Sequence, residues 1–311
     1  METRTLGATG IEVGVVGLGA WQLGNTTMWD GSDETESLRI VDEAIDLGCT
    51  LFDTAPGYGE GRSEELLGRA LRGRRDRVAI CSKFGHTADG RSDFGPDAIE
   101  PSVRESLRRL QTDYLDILLL HSPPDELMDG GAPQYAELER LRSLGMIRAY
   151  GVSLDWDRAL QRVLDTTRSG VVEVLFNAFH QDPAPGVARA GSEGVGVIAK
   201  VPLDSGWLAG RYGRGSTFSG VRSRWTAEDI TRRADLVERF EQLLPPGLGV
   251  AQAALRYVLG QDGVTAVIPG ARSVEQLRTN VAAAAGTLPA VTVAAIRRLW
   301  EEHVEGAPVA W

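Results

Sequence analysis

An eight-stranded α/β barrel is the fold this 311-residue chain predicts, on three observations. Short, nearly unbroken apolar runs recur eight times, as parallel strands buried on both faces do. Amphipathic helical patterns fall between them, and strand alternating with helix builds a parallel sheet. No linker or low-complexity stretch interrupts the alternation. That favours one closed (β/α)8 TIM barrel over residues 1–311 rather than two domains.

The elements follow in order. The opening TRTLGATGIEV predicts a β-hairpin with Thr9-Gly10 in its turn. Strands are predicted at 15–18 (VVGL), 50–53 (TLFD), 78–83 (VAICSK) and 114–120 (YLDILLL), then at 149–152, 172–176 (VEVLF), 196–200 (GVIAK) and 265–268 (TAVI). Helical patterns occupy 34–47, 63–71, 99–110, 135–144, 157–168, 185–193 and 227–243, with 250–260 before the last strand and 273–285 after it. Ser63 reads as a helix N-cap, with Glu64 and Glu65 at the positive end of its helix. Residues 250–260 and 291–303 exceed a strict eightfold repeat and predict extra helices towards the C-terminus.

Bulk properties narrow the function. Hydrophobic residues make up 42% and charged residues 24%, enough for a large core. A net charge of −10 argues against nucleic acid, whose binders carry a basic footprint. No apolar run approaches the roughly 20 residues of a membrane span, and METRTLGATG lacks the apolar segment of a secretory signal. Cys49 and Cys81 sit in apolar runs, as reduced buried thiols do. The expectation is a soluble cytoplasmic protein with a small-molecule substrate and neither nucleic-acid nor membrane partners.

Three of the apolar runs end on ionisable groups: Asp53, Lys83 and His121. Barrels place their chemistry at the C-terminal ends of strands, so these three should share one rim, and the Pro/Gly turn after the second strand should bring Tyr58 there. An unperturbed tyrosine, with a pKa of about 10, is a weak acid at neutral pH; a neighbouring Lys83 ammonium would lower that value. Asp53 would hold Lys83 charged and oriented, and His121 would hydrogen-bond a carbonyl oxygen. Such a set donates a proton beside a polarised carbonyl and lacks only a hydride, which a nicotinamide supplies. Each residue alone has a structural alternative: a loop cap, a turn aromatic, a solvated strand end or a packed histidine. Their convergence favours the catalytic reading.

Taken with GLGAWQLG (17–24), LFDTAPGYGEGRSEELLGRAL (51–71), SKFG (82–85), SLRRLQTDYLDILLLH (106–121), GVS (151–153), PLDSGWLAG (202–210) and IPGARSVEQLRTN (268–280), the chain resembles the aldo-keto reductase superfamily over nearly its whole length. The resemblance implies that Asp53, Tyr58, Lys83 and His121 are the catalytic tetrad. Tyr58 would be the general acid in reduction and the base in alcohol oxidation. It implies NADP(H) as cofactor, held by Ala20, Trp21, Asp53 and Ser153 around the nicotinamide. Pro202, Leu203, Ser205, Gly206 and Leu208 would hold the pyrophosphate, and Gly270, Arg272, Ser273, Gln276 and Asn280 the remainder. Arg272 offers a bidentate fork to a 2′-phosphate, at a helix start whose backbone N–H groups also favour anions.

GVVGLGAWQLG is not a dinucleotide fingerprint, because after Gly17 and Gly19 the next glycine is Gly24 and the G-x-G-x-x-G spacing fails. The chain departs from the family pattern at Leu154, where asparagine is common, at Glu173, where glutamine binds the carboxamide, and at Lys200, where an aromatic often stacks on the ring. An ionised Glu173 accepts hydrogen bonds but cannot donate them, and its charge would favour the cationic ring of NADP⁺ over NADPH. Trp21, Trp29 and Trp225, with Tyr58 and His121, would line the substrate pocket. His86, His121, His180 and His303 are too scattered for a metal-dependent hydrolase, so no metal is expected. The remaining alternative is a non-catalytic NADP(H) sensor or regulatory subunit, against which the intact tetrad argues.

Overall fold

The computed structural model describes residues 1–25 and 33–309. An antiparallel hairpin, β1 (Thr3–Thr5) and β2 (Glu12–Gly14), comes first. Eight parallel strands follow among the described residues. They are β3 (Leu18–Gly19), β4 (Leu51–Asp53), β5 (Ala79–Phe84), β6 (Leu115–His121), β7 (Ile147–Leu154), β8 (Val171–Leu175), β9 (Gly196–Lys200) and β10 (Val264–Val267). They pair in chain order from β3 to β10. The barrel closes through a short seam: Val267 N donates to Val15 O at 2.9 Å, Gly17 N to Val267 O at 2.8 Å, and Gly19 N to Pro269 O at 3.2 Å.

Successive residues of a strand face opposite ways, and this parity positions the chemistry. Leu51, Cys81, Leu119, Val171 and Ile198 belong to the barrel interior, where Leu6, Ile11 and Val13 from the hairpin segment join them. The hairpin thus fills the N-terminal mouth with side chains. Two residues further along the same inward rows stand Asp53, Lys83, His121, Glu173 and Lys200. Ala149 is also interior, and four residues on from it stands Ser153. In each of these six strands apolar residues come first and a polar one follows further towards the C-terminal rim.

The helices are α1 (Glu34–Asp46), α2 (Arg62–Ala70), α3 (Pro96–Leu110), α4 (Pro133–Ser143), α5 (Asp157–Thr166), α6 (Ala184–Ser192), α7 (Ala227–Gln242), α8 (Val250–Leu259), α9 (Val274–Val281) and α10 (Ala290–His303). Asp33 caps α1 by accepting from Glu36 N, and Thr226 with Asp229 forms a reciprocal capping box on α7. The extra helices predicted from 250–260 and 291–303 are α8 and α10. The predicted 273–285 helix divides into α9 and a 3-10 turn over Ala282–Ala285. Among the described residues no single helix is long and apolar enough to cross a bilayer.

Ser63 is not the cap of α2. Gly61, at φ 88°, begins the helix in the left-handed region open to glycine. Ser63 therefore falls inside the first turn and faces inward. Its buried hydroxyl donates to Ala20 O at 2.8 Å and lies 2.9 Å from Thr54 Oγ1, tying the ends of β3 and β4 together.

Candidate active site

A cavity of about 510 Å³ opens at the C-terminal ends of the strands. Trp21, Asp53, Tyr58, His121, Glu173 and Lys200 line one part of it; Pro202, Leu203, Ser205, Gly206, Gly270, Arg272, Gln276 and Asn280 line another. Lys83 and Ser153 lie just behind this wall and reach it through hydrogen bonds. Gln22, His86, Ser122, Arg211, Tyr212 and Arg222 also line it, and the sequence reading did not single them out as site residues. Five are on loops and Arg222 is in a short 3-10 turn, segments whose course no periodicity foretells.

Four expected positions differ. Ala20 is fully buried, engaged through its backbone with Asp53 O and Ser63. Leu208 packs into the core. Ser273 caps α9, accepting from Gln276 N at 3.2 Å, and does not line the cavity. Trp225 is buried among Trp207 (centroids 5.8 Å apart) and Phe218 (4.8 Å). Its aromatic neighbours draw it away from the pocket, so it braces the loop instead. Trp29 lies outside the described residues.

The proton chemistry is concentrated at the end of β5. Lys83 contacts the Asp53 carboxylate and donates to Thr54 O at 3.1 Å, and its Nζ stands 5.3 Å from the Tyr58 ring centroid. Burial opposes the Lys83 charge, but Asp53 and Glu173 outweigh it and hold the ammonium well above its ordinary pKa. Tyr58 departs from the sequence expectation. Burial pushes its phenol above the ordinary value, and Lys83 only partly offsets that. The degree of burial is not visible in a sequence, whereas the neighbouring lysine is.

His121 completes an aromatic corner. Its ring is edge-on to Tyr58 at 6.0 Å and to His86 at 5.0 Å; Tyr58 in turn lies 5.9 Å from Trp21. Burial first, then the charges of Lys83 and Lys200, lowers the His121 pKa well below its usual value. The imidazole is therefore neutral near pH 7, with one ring N–H to donate. Its Nδ1 is buried without a hydrogen-bond partner.

The loop after β9 is unusual in its backbone. Val201, Asp204, Ser205 and Gly206 have φ of 53°, 45°, 53° and 101°. Non-glycine residues in that region carry strain of about 1–3 kcal/mol each and persist where the surroundings impose it. Two arginines do so here. Arg222 donates to Ser205 O at 3.1 and 2.8 Å, and Arg233, from α7, pairs with Asp204 in full burial. Across the seam, Gly270 lies against Gln22: a Cβ there would fall 2.2 Å from Gln22 Oε1, a buried atom with no hydrogen-bond partner. The start of α9 is braced by Arg272 N donating to Gln276 Oε1 at 3.0 Å and Asn280 Nδ2 to Gly270 O at 3.3 Å.

Among the described residues one group of donor atoms is close enough to share a metal ion: Asp53, Cys81 and Glu173, within 4.8 Å of one another. Lys83, the cation already paired with both carboxylates, stands among them.

Residues 15–301 match the aldo/keto reductase family. The chain is 32% identical over 302 residues to the aldo-keto reductase YhdN of Bacillus subtilis, covering 89% of this chain and 87% of that one. It is 29% identical over 310 residues to an NADH-specific methylglyoxal reductase of Escherichia coli, covering 91% and 93%. The structure of an aldo-keto reductase from Bacillus halodurans, AKR11C1, solved in its holo form, superposes with a TM-score of 0.81 at 29% identity, covering 97% of this chain and 99% of that one.

Proposed function

Since the chain belongs to the aldo/keto reductase family, oxidoreductases that act on carbonyls, we propose that it reduces an aldehyde or ketone with NADPH, Tyr58 donating the proton. The observation that carries this reading is the convergence of Tyr58, the Lys83–Asp53 pair and a neutral His121 on one cavity. The cavity volume lies within the range of small-molecule sites. It also fits a nicotinamide dinucleotide in its polar groups, because two buried acceptors, Gln22 Oε1 and Glu173 Oε2, lack hydrogen-bond partners and the start of α9 faces the same space.

When bound, the nicotinamide supplies the hydride. The chain's residues do the rest. The His121 N–H orients the carbonyl oxygen, and the Tyr58 phenol donates its proton to that oxygen. Lys83, fixed by Asp53, stabilises the phenolate left behind. Ser153 and Lys200 are engaged with Glu173 and Asp155 (2.9 Å for each contact), so these side chains form the polar wall that would meet a carboxamide. A panel of aldehydes, ketones and sugars, followed by loss of NADPH absorbance, tests the reading. No turnover on any of them, with cofactor binding intact, would favour a sensor instead.

NADPH is preferred in this proposal because Arg272 lines the cavity at the start of α9. A charge-assisted contact is worth about 1.5–3 kcal/mol, which is about 10- to 100-fold in affinity. Arg272→Ala should weaken NADPH by that factor and NADH little, as read by fluorescence titration. The relative from Escherichia coli is named for NADH specificity, which makes the opposite result informative. Equal weakening of both cofactors would remove Arg272 from 2′-phosphate recognition.

A further inference from the structure

The floor of the cavity holds one more carboxylate than a Tyr–Lys–Asp–His arrangement uses. Lys83 contacts Asp53, and its Nζ also lies 3.4 Å from Glu173 Oε2; the side chains of Lys83, Asp53 and Glu173 are 0%, 5% and 1% exposed. Asp53 comes from β4, Lys83 from β5 and Glu173 from β8, so the cluster spans the barrel. Ser153 donates to Glu173 Oε1 at 2.9 Å, but Oε2 has no fixed donor beyond the 3.4 Å ion pair. Glu173 nevertheless lines the cavity.

Among the described residues, the other titratable or charged groups facing this cluster are Cys81, Tyr58, His121 and the Lys200–Asp155 pair. Cys81, beside Lys83 on β5, is held as a neutral thiol chiefly by burial. Tyr58 and His121 are neutral for the reasons given above. Lys200 on β9 is paired with Asp155 at 2.9 Å, which offsets much of its charge. What remains is two carboxylates on one ammonium, a net charge of −1 when all three are ionised. Like-charged carboxylates sharing one buried site do not both ionise cheaply. A single proton between them restores neutrality and gives Glu173 Oε2 its missing donor, the Asp53 hydroxyl.

We propose that the Asp53–Glu173 pair holds one proton in the cofactor-free protein and releases it to solvent when oxidised nicotinamide binds in the cavity. The oxidised ring is a cation. It takes over the neutralising role of the proton, leaving both carboxylates ionised against Lys83 and the ring. The reduced ring is neutral and leaves the proton in place. Burial and the charge of Glu173 push Asp53 well above the carboxylate range, while the Lys83 and Lys200 charges outweigh burial to keep Glu173 ionised, so the proton resides on Asp53. This inference rests on the cavity being the nicotinamide site.

The experiment is a titration of the full chain with NADP⁺ and with NADPH across the neutral and alkaline range, using protein fluorescence. Ionisation of the 2′-phosphate is common to both cofactors and cancels in the ratio of their affinities. That ratio should shift towards NADP⁺ as pH rises, approaching about tenfold per pH unit for a single linked proton. Calorimetry in two buffers of different ionisation heat should count about one proton released with NADP⁺ and none with NADPH. Glu173→Gln, which removes the second carboxylate with little change of shape, should flatten the ratio. Tyr58→Phe should leave its slope in place, separating the carboxylate pair from the phenol. A pH-independent ratio in the wild-type protein, or a slope that survives Glu173→Gln, would overturn the proposal while leaving the nicotinamide site standing. Failure to bind either cofactor would overturn the site assignment and the proposal together.

Discussion

Tyr58→Phe is expected to lower carbonyl reduction by about 10²–10⁴-fold, the usual contribution of a positioned acid, while NADPH binding survives. The substitution removes one oxygen and keeps the ring that packs between Trp21 and His121. Near-wild-type turnover in that variant would refute the role of Tyr58. Because burial raises the phenol's pKa above its ordinary value, the acid form persists through neutral and well into alkaline pH. Reduction should therefore not fall in the neutral range through loss of this proton. Alcohol oxidation, which needs the phenolate, should rise as pH climbs into the alkaline range. A neutral-range decline of reduction that Tyr58→Phe abolishes would contradict the environment described here.

Arg233→Met is expected to cost about 3–5 kcal/mol of stability, the loss seen when one partner of a buried ion pair is removed. Arg233 is fully buried against Asp204 and lies over the Trp225 ring at 5.2 Å. Its loss strands a carboxylate 2% exposed, in a loop whose left-handed backbone the pair helps to impose. A second effect should accompany the first. The cofactor affinity should fall as well, although neither Arg233 nor Asp204 lines the cavity, because Ser205 and Gly206 beside Asp204 do. Urea unfolding monitors the first effect and cofactor titration the second. A stability loss below about 1 kcal/mol, typical of an exposed pair, would show that the pair does not carry the loop. Adding Asp204→Leu should return part of the lost stability without restoring cofactor affinity, since the strained turn would still lack its anchor.

The strand ends were legible in the sequence because burial and chemistry follow one pattern there. Apolar runs closing on Asp53, Lys83 and His121 place inward-facing ionisable groups at the rim by parity alone. What escaped notice depended on loops and on three-dimensional neighbours. Ser63 before two glutamates has the composition of a helix cap, yet the glycine turn at Gly59 and Gly61 starts the helix earlier and buries it. Trp225 reads as a pocket aromatic until Trp207 and Phe218 fold around it. Gln22 and Arg222 have no spacing signal, since each gains its meaning from one backbone partner or one glycine far along the chain. Glu173 was recognisable as a departure from the family pattern. That its carboxylate also reaches Lys83 is a matter of strand register across the barrel, which no local pattern encodes.

The seam where β10 returns to the chain before β4 has a consequence for how the molecule breathes. From β5 to β9 neighbouring strands share longer ladders, but here closure relies on a few amides, among them those of Gly17, Gly19 and Val267. Gly19, Gln22, Ile268, Pro269 and Gly270 stand on both sides of this join and also line the cavity. A molecule bound there acts as a rivet across a thinly fastened joint of the cask. Regions with few supporting bonds open at low free energy, and a ligand that binds only the closed form suppresses that opening in proportion to its saturation. Amide exchange at these three residues should therefore slow on cofactor binding more than exchange in the β5–β6–β7 wall. The cofactor would then be a closing element of the barrel as well as its reagent.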